Sequence, residues 1–327
     1  LHHGVKRSVL WGAACVTHLL PLVEILLDAG ANVNDGVTLP LAASGADFLL
    51  LELLLKHGAD VNFPWATDGA SPLYSILQWN QTPEGPRWLL EHGANPDPVF
   101  AGNGETPLHV VARKWDVAMA EQLVSRGADI ARRRNDGRSP YAIAELNGNR
   151  GVAEWLLARG APAELSDIDQ LVAACSRGDK ASADAMLVNR PELHSEIKAD
   201  HYIAFYQAAE RNDVKALETM LGCGFDPNAG DEEMGKTALH CAAMAAWPEA
   251  TRVLLAHGAS VSVCDREFRA QPLIWAAEGS RHARGPGRDH TAVARMLLAA
   301  GSPTDWKQNA EPSEPIMEIV QEWCRQT

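Results

Sequence analysis

The 327 residues are enough for about two ordinary domains or one elongated array, and 46% hydrophobic residues is ample for a packed core, which excludes intrinsic disorder. With 29 basic against 42 acidic residues the net charge is −13, negative on both sides of Ala163, which argues against a nucleic-acid-binding surface. The best apolar run, Phe48 to Leu55, holds a glutamate and stops at Lys56, short of the ~18 to 20 residues a bilayer span demands, so no membrane partner is expected.

Along the chain, Lys6 and Arg7 precede an apolar patch ending near Leu20 that reads as part of a repeat rather than as a signal peptide. A start at Leu1 leaves room for an upstream segment, and a secreted product stays open. One phrase then recurs: LLDAGANVN ending at Asn34, LLKHGADVN at Asn62, LLEHGANPD at Asp97, then LVSRGADI, LLARGAP, MLGCGFDPN, LLAHGASV and LLAAGSP. Its glycines are Gly30, Gly58, Gly93, Gly127, Gly160, Gly224, Gly258 and Gly301, with Arg190 in the slot between Gly160 and Gly224. Roughly 21 residues before these glycines a second phrase recurs, as SVLWGAA from Ser8, SPLYSI from Ser71, TPLHVVA from Thr106, SPYAIA from Ser139, TALHCAA from Thr237 and QPLIWAA from Gln271. Ser or Thr before Pro is a helix start, because the hydroxyl caps free amides and Pro is tolerated at the first helical position. Ala-Ala pairs let neighbouring helices approach, Leu-Leu buries a second helix, and Gly ends it in a left-handed conformation. Each unit is therefore helix, turn, helix and protruding hairpin, and none buries its apolar face alone.

These phrases resemble the ankyrin repeat, whose period is about 33 residues and whose signature is Thr-Pro-Leu-His-x-Ala. The resemblance covers almost the whole chain and implies an all-α ankyrin-repeat solenoid of about nine helix-turn-helix repeats with hairpin tips. Repeats one to five fall in residues 1–163 and divergent repeats six to nine in 164–327, with a kink expected near 190–200. Repeat six, LVAACSRGDKASADAMLVNRPEL, is similar to the opening unit of bacterial ankyrin arrays and ends on Arg190-Pro191 instead of glycine. Repeat two, TLPLAAS from Thr38, predicts an irregular first helix. Repeat nine carries an insertion, 279–290, rich in Gly and basic residues and expected to project, and PIMEIVQEWC from Pro315 to Cys324 predicts an amphipathic capping helix.

Candidate site residues follow in two groups. In ankyrin proteins partners are gripped by hairpin tips and by the concave face, just before Thr-Pro and after Ala-Ala. On this chain those positions give Trp79 with Gln78, Arg113 with Lys114, Leu146 with Asn147, Ser176 with Arg177, Glu210 with Arg211, and Met244 with Ala245. Trp65 and Phe100 fall on tips and Trp115 adjoins Lys114; exposed aromatic and arginine side chains have the composition of binding hot spots. Trp11, Trp88, Trp155 and Trp275 read as core, while Trp65, Trp79 and Trp115 read equally as contact surface or partly buried packing. Arg132, Arg133 and Arg134 form a basic tip, either docking an acidic partner or simply solvated, and Asp231, Glu232 and Glu233 an acidic one. The second group is catalytic: Asp265, Glu267, Trp275, Glu278 and His282 would gather where the repeat-nine hairpin and insertion meet. Against it, no nucleophile elbow, phosphate loop or HExxH phrase occurs, and His282, Asp289 and His290 lack a recognised metal spacing, so no metal or cofactor is expected. Among the twelve histidines, His109 and His240 read as structural members of the Thr-Pro-Leu-His-type phrase, and His57, His92 and His257 precede terminating glycines. Six cysteines without a Cys-x-x-Cys pair fit a reducing, cytoplasmic compartment.

The functional expectation is a non-enzymatic protein-interaction module whose partner has a basic surface, complementary to the charge of −13. An inhibitor, immunity or host-targeting effector protein, and an enzyme or small-ligand binder using a repeat-nine pocket, stay open as alternatives, since fold does not choose between them.

Overall fold

The computed structural model describes residues 8–16, 19–66, 68–79, 82–282, 285–304 and 314–326. Packing divides the chain into two units, residues 1–144 with 149–164 and residues 145–148 with 165–327. Among the described residues every regular element is helical.

The first unit opens with α1 (Val9–Trp11), continued by a wide turn over Gly12–Val16. It proceeds through α2 (Leu20–Asp28), α3 (Thr38–Ser44), α4 (Phe48–Lys56), α5 (Pro72–Trp79), α6 (Glu84–Glu91), α7 (Pro107–Lys114), α8 (Val117–Val124), α9 (Pro140–Leu146) and α10 (Arg150–Leu157), the last residues of α9 counting with the second unit. That second unit holds α11 (Asp167–Ser176), α12 (Lys180–Asn189), α13 (Tyr202–Glu210), α14 (Val214–Gly222), α15 (Ala238–Met244), α16 (Pro248–Ala256), α17 (Pro272–His282), α18 (His290–Ala299) and α19 (Glu314–Gln326). Among the described residues odd and even helices up to α18 make nine pairs; most odd members start at the Ser/Thr-type phrase, α13 after His201 being an exception, and the even members carry the leucines.

The helix starts show why these segments fold as they do. Thr106 and His109 form a reciprocal cap: the Thr106 amide donates to His109 Nδ1 at 3.2 Å, the Thr106 hydroxyl lies 2.8 Å from the same nitrogen, and Nε2 donates to the Arg138 carbonyl at 3.2 Å. Thr237 and His240 repeat this arrangement, with Nε2 donating to the Ala270 carbonyl at 3.0 Å. Both histidines are thus neutral clamps between a helix and the next hairpin, and burial pushes the His109 imidazole down to about 4. The even helices use a device the phrase comparison missed: Asp47, Asp116, Asp179, Asp213 and Asp289 each accept from the amide three residues on, at 2.9 to 3.1 Å.

Between consecutive repeats runs a ladder of asparagine amides. Asn34 accepts from the Asp60 amide at 2.8 Å, Asn62 from Asn95 at 2.7 Å, and Asn228 from Ser260 at 2.7 Å. Asn62 and Asn228 also donate to the carbonyls of the helix-ending glycines Gly93 and Gly258, at 3.2 and 3.1 Å. Where the next rung carries Asp97 instead, Arg132 from the following hairpin closes it with an ion pair at 3.0 Å.

Several expectations need correction. Helix α3 is regular rather than irregular, because Asp35 stands in for the missing cap: it accepts from the Val37 and Thr38 amides at 2.9 and 2.7 Å and from the hydroxyls of Thr38 and Ser8. Segment 190–200 forms two 3-10 turns, Pro191–Glu196 and Ala199–His201, pinned by Arg190 on Asp167, Glu192 and Glu196 and by buried Leu193. The repeat-nine insertion projects less than expected. Residues Gly279 to His282 continue α17, and on the return limb Arg288 lies over the Trp247 ring at 4.8 Å while the Asp289 amide donates to Ala246 at 2.9 Å. Of the four tryptophans assigned to the core only Trp88 is buried; Trp11, Trp155 and Trp275 are half-buried, Trp155 under the Arg159 guanidinium at 3.8 Å. Helix α19 packs Ile316, Ile319 and Val320 inward and lies against α18.

Helix α17 comes so close to α15 that a methyl group added at Gly279 would sit 2.1 Å from the Met244 carbonyl oxygen. Gly279→Ala is therefore expected to lower stability by about 1 to 3 kcal/mol despite alanine's better helix propensity. Urea titration checks this, and a midpoint at or above that of the parent would show the two helices to be further apart.

Candidate functional site

The position six residues before the Ser/Thr-type start lies at a hairpin corner, and each such corner meets an inner helix differently. Phe100, closing its hairpin by donating its amide N–H to the Glu105 carbonyl at 2.8 Å, stacks on Tyr74 of α5 with ring centroids 5.1 Å apart. Asp265 closes the corresponding hairpin with Ala270 at 3.0 Å and accepts the Trp275 indole of α17 at 2.8 Å. Trp65 closes its own with Ala70 at 2.8 Å, but it faces α3, where Leu41 holds the place that Tyr74 holds in α5. The shorter side chain leaves a cleft of about 170 Å³, walled by Leu41 and Ser44 of α3, by Ser75, Ile76 and Trp79 of α5, and by Trp65 and Asp68 of the hairpin. Ser75 and Trp79 are one helical turn apart, which brings them to one face. Trp79 is 63% exposed and Trp65 half-buried. The cleft is smaller than the roughly 300 to 1,000 Å³ of a small-molecule site and close to the ~150 Å³ that holds one benzene ring. It suits a single side chain.

Beside it lies a charge cluster that residue patterns did not reveal. Glu105 is only 1% exposed, yet it takes Arg113 of α7, Arg134 of the next hairpin at 2.9 Å, the Tyr74 hydroxyl at 2.9 Å and the Gln78 amide at 3.2 Å. Burial alone would push its carboxyl up, but Arg113 and Arg134 outweigh burial and hold it below the usual range. Burial and the neighbouring Glu105 charge push the Tyr74 phenol upward. Arg134 also pairs with Asp136, which Arg138 reaches at 3.2 Å. Arg113 and Arg134, read from sequence as contact residues, thus point at a buried carboxylate and brace the hairpin against α7. The signal was present, since Glu105 directly precedes Thr106, but no charge partner is legible from spacing alone.

The other expected contact residues are dispersed. Lys114 is exposed and donates to the Gln78 carbonyl, and half-buried Trp115 donates its indole N–H to the Leu77 carbonyl at 2.9 Å. Arg132 pairs with Asp97 and Arg133 with Glu164 at 2.8 Å, both exposed. In the second unit Arg177 pairs with Glu145, Arg211 donates to the Asn147 carbonyl at 2.8 Å, and Met244 is half-buried against Gly279.

Of the repeat-nine candidates, the described side chains are engaged as follows. Asp265, 2% exposed, takes the Phe268 amide at 2.6 Å on one oxygen, and on the other the Ala270 amide at 3.2 Å and the Trp275 indole. Both carboxylate oxygens serve the hairpin. Glu267 is exposed on that hairpin, Glu278 pairs with Arg281 at 3.7 Å, and the His282 side chain lies outside the described residues. His290 Nδ1 lies 3.1 Å from the Ala276 carbonyl.

Among the described residues no helix is long and apolar enough to cross a membrane. The family model for ankyrin repeats, in three copies, matches residues 87–167 and 205–309. Similar curated proteins include E3 ubiquitin-protein ligase KEG of Arabidopsis thaliana, 26% identical over 76% of this chain and 15% of its own length. The Nuclear factor NF-kappa-B p105 subunit of Gallus gallus is 30% identical over 48% of the chain and 17% of that protein, and Ankyrin repeat and KH domain-containing protein mask-1 of Caenorhabditis elegans is 26% identical over 78% and 10%. The chain spans less than a fifth of each, and these three come from a plant, a bird and a nematode, which lends nothing to the bacterial likeness of repeat six. Stacked pairs, capped Thr-x-Leu-His starts and the matching family model lead to one statement: this chain belongs to the ankyrin-repeat family, whose repeats are generally protein–protein interaction modules.

Proposed function

We propose that the chain binds a partner protein on the inner face of its first unit, at the cleft between Trp65 and Trp79, with Trp115 beside it, the tip cations Arg132 and Arg133 being neutralised by Asp97 and Glu164. The observation that carries this reading is the pairing of two tryptophans, one from a hairpin and one from a helix, around a cavity of side-chain size with Trp79 63% exposed. A large aromatic held at solvent beside a pocket is the composition of a binding anchor rather than of a core. Arg113 and Arg134 act from behind, fixing the hairpin on which the face depends and so limiting the ordering cost of binding. Arg177, Arg211 and Met244 extend the contact surface of the second unit, and a basic partner matches the charge of −13 in a reducing, cytoplasmic setting.

A photoreactive benzoylphenylalanine at position 79 is expected to crosslink a discrete partner, whereas the same group at exposed Leu49 of α4 is not. Trp79→Ala is expected to weaken that partner's binding at least about 30-fold, the loss typical of a central aromatic anchor. Equal crosslinking from both positions, with binding unchanged in Trp79→Ala, would remove the cleft from the interface.

A further inference from the structure

Asp68 at the mouth of the cleft has a carboxylate that the fold does not account for. Its Oδ1 accepts from the Ala70 amide at 3.0 Å and shapes the hairpin turn, but a neutral side chain does the same one repeat later, where Asn103 accepts from Glu105 at 2.9 Å. The turn needs the oxygen and not the charge. One repeat further on, Asp136 plays the same turn role toward the Arg138 amide at 3.1 Å, and there the negative charge is answered by the guanidinium groups of Arg134 and Arg138. No cation among the described residues answers Asp68, which is exposed. Twice among the described residues, moreover, a guanidinium is seated on an indole, Arg159 over Trp155 at 3.8 Å and Arg288 over Trp247 at 4.8 Å. The Trp65–Trp79 cleft therefore offers together the two surroundings that the chain's own arginines occupy separately: a hairpin aspartate and an exposed indole.

We propose that the cleft receives an arginine side chain of the partner, its guanidinium lying against Trp79 and pairing with Asp68. This rests on the reading of the cleft as an interaction site and adds the chemistry of what enters it. Arginine fits better than lysine because its planar guanidinium stacks on aromatic faces while its N–H fork meets a carboxylate, whereas an ammonium does one or the other as a strongly hydrated point charge. A volume of about 170 Å³ accommodates such a group. The chain's negative balance favours approach of the basic segment that would carry it.

The test uses the full chain and capped pentapeptides of glycine and serine with one central residue, either arginine, lysine, citrulline or norleucine. Citrulline keeps the shape of arginine and removes its charge. Binding is followed by the indole N–H signals of Trp65 and Trp79, assigned from Trp→Phe variants. The arginine peptide is expected to move both signals saturably, the lysine peptide more weakly, and citrulline and norleucine little. Asp68→Asn, which keeps the turn as Asn103 does, is expected to weaken the arginine peptide about tenfold, the loss of one charge-assisted hydrogen bond. If citrulline or norleucine binds as well as arginine, or Asp68→Asn changes nothing, the arginine assignment is overturned while the cleft stands as a docking site. If no peptide moves either signal up to its solubility limit, both the assignment and the docking reading fall.

Discussion

Glu105→Ala is expected to destabilise the first unit by about 3 to 5 kcal/mol, because it leaves the largely buried Arg113 guanidinium with no carboxylate and Arg134 with Asp136 alone. The loss has a definite location. Arg113 belongs to α7, Arg134 to the following hairpin and Tyr74 to α5, so hydrogen exchange should accelerate in those three segments. Urea unfolding followed at the same time gives the magnitude. Exchanging the whole cluster, Glu105→Leu with Arg113→Met and Arg134→Met, should recover much of the stability, since well-packed apolar replacements of a buried ionic group are often neutral. A loss below about 1 kcal/mol for the single variant would mean that solvent screens the cluster.

The second large effect is on acid stability. Burial holds the His109 imidazole at about 4 in the folded chain, against the ordinary 6.5, and so favours the neutral form that clamps Thr106 and the Arg138 carbonyl. Between these values the unfolded chain binds the proton and the folded chain does not. Stability is complete above pH 6.5 and falls as pH drops toward 4, by about 3 kcal/mol from this residue, then levels off. His240 is lowered for the same reason and adds to the slope. Glu105, held below its ordinary 4.5, adds its own loss from about pH 5 downward, so the part of the profile above that reports the histidines without it. Urea midpoints from pH 7.5 to 3.5 measure the profile. His109→Gln should flatten its upper part, and a parent chain of constant stability between pH 6.5 and 4 would contradict the neutral clamp.

The repeat phrases made the helices legible because each carries its own local physics: a hydroxyl or aspartate at the start, small residues where helices touch, and glycine at the end. Regularity in α3 was not legible, since its cap comes from Asp35, outside the expected Ser/Thr-Pro position. At the candidate site the tryptophans were visible as residue types, but the cleft exists because Leu41 is shorter than Tyr74 one repeat later, a difference in volume across two helices that no phrase encodes. Arg113 and Arg134 show the converse. A basic residue at a contact position looks the same in sequence whether it faces solvent or a buried glutamate 8 or 29 residues away.

The asparagine rungs make each repeat answer chiefly to its neighbours. In the first unit the rungs from Asn34 and Asn62 are neutral amide contacts, while the one at Asp97 and Arg132 is ionic, with the arginine at solvent. Tension drawn along that unit therefore meets links of two kinds. The amide links have a stiffness nearly independent of the medium, whereas the ionic link softens as salt shortens the range of its attraction. The stack behaves there like a spring with one coil tuned by ionic strength, and that coil lies one repeat beyond the tryptophan cleft.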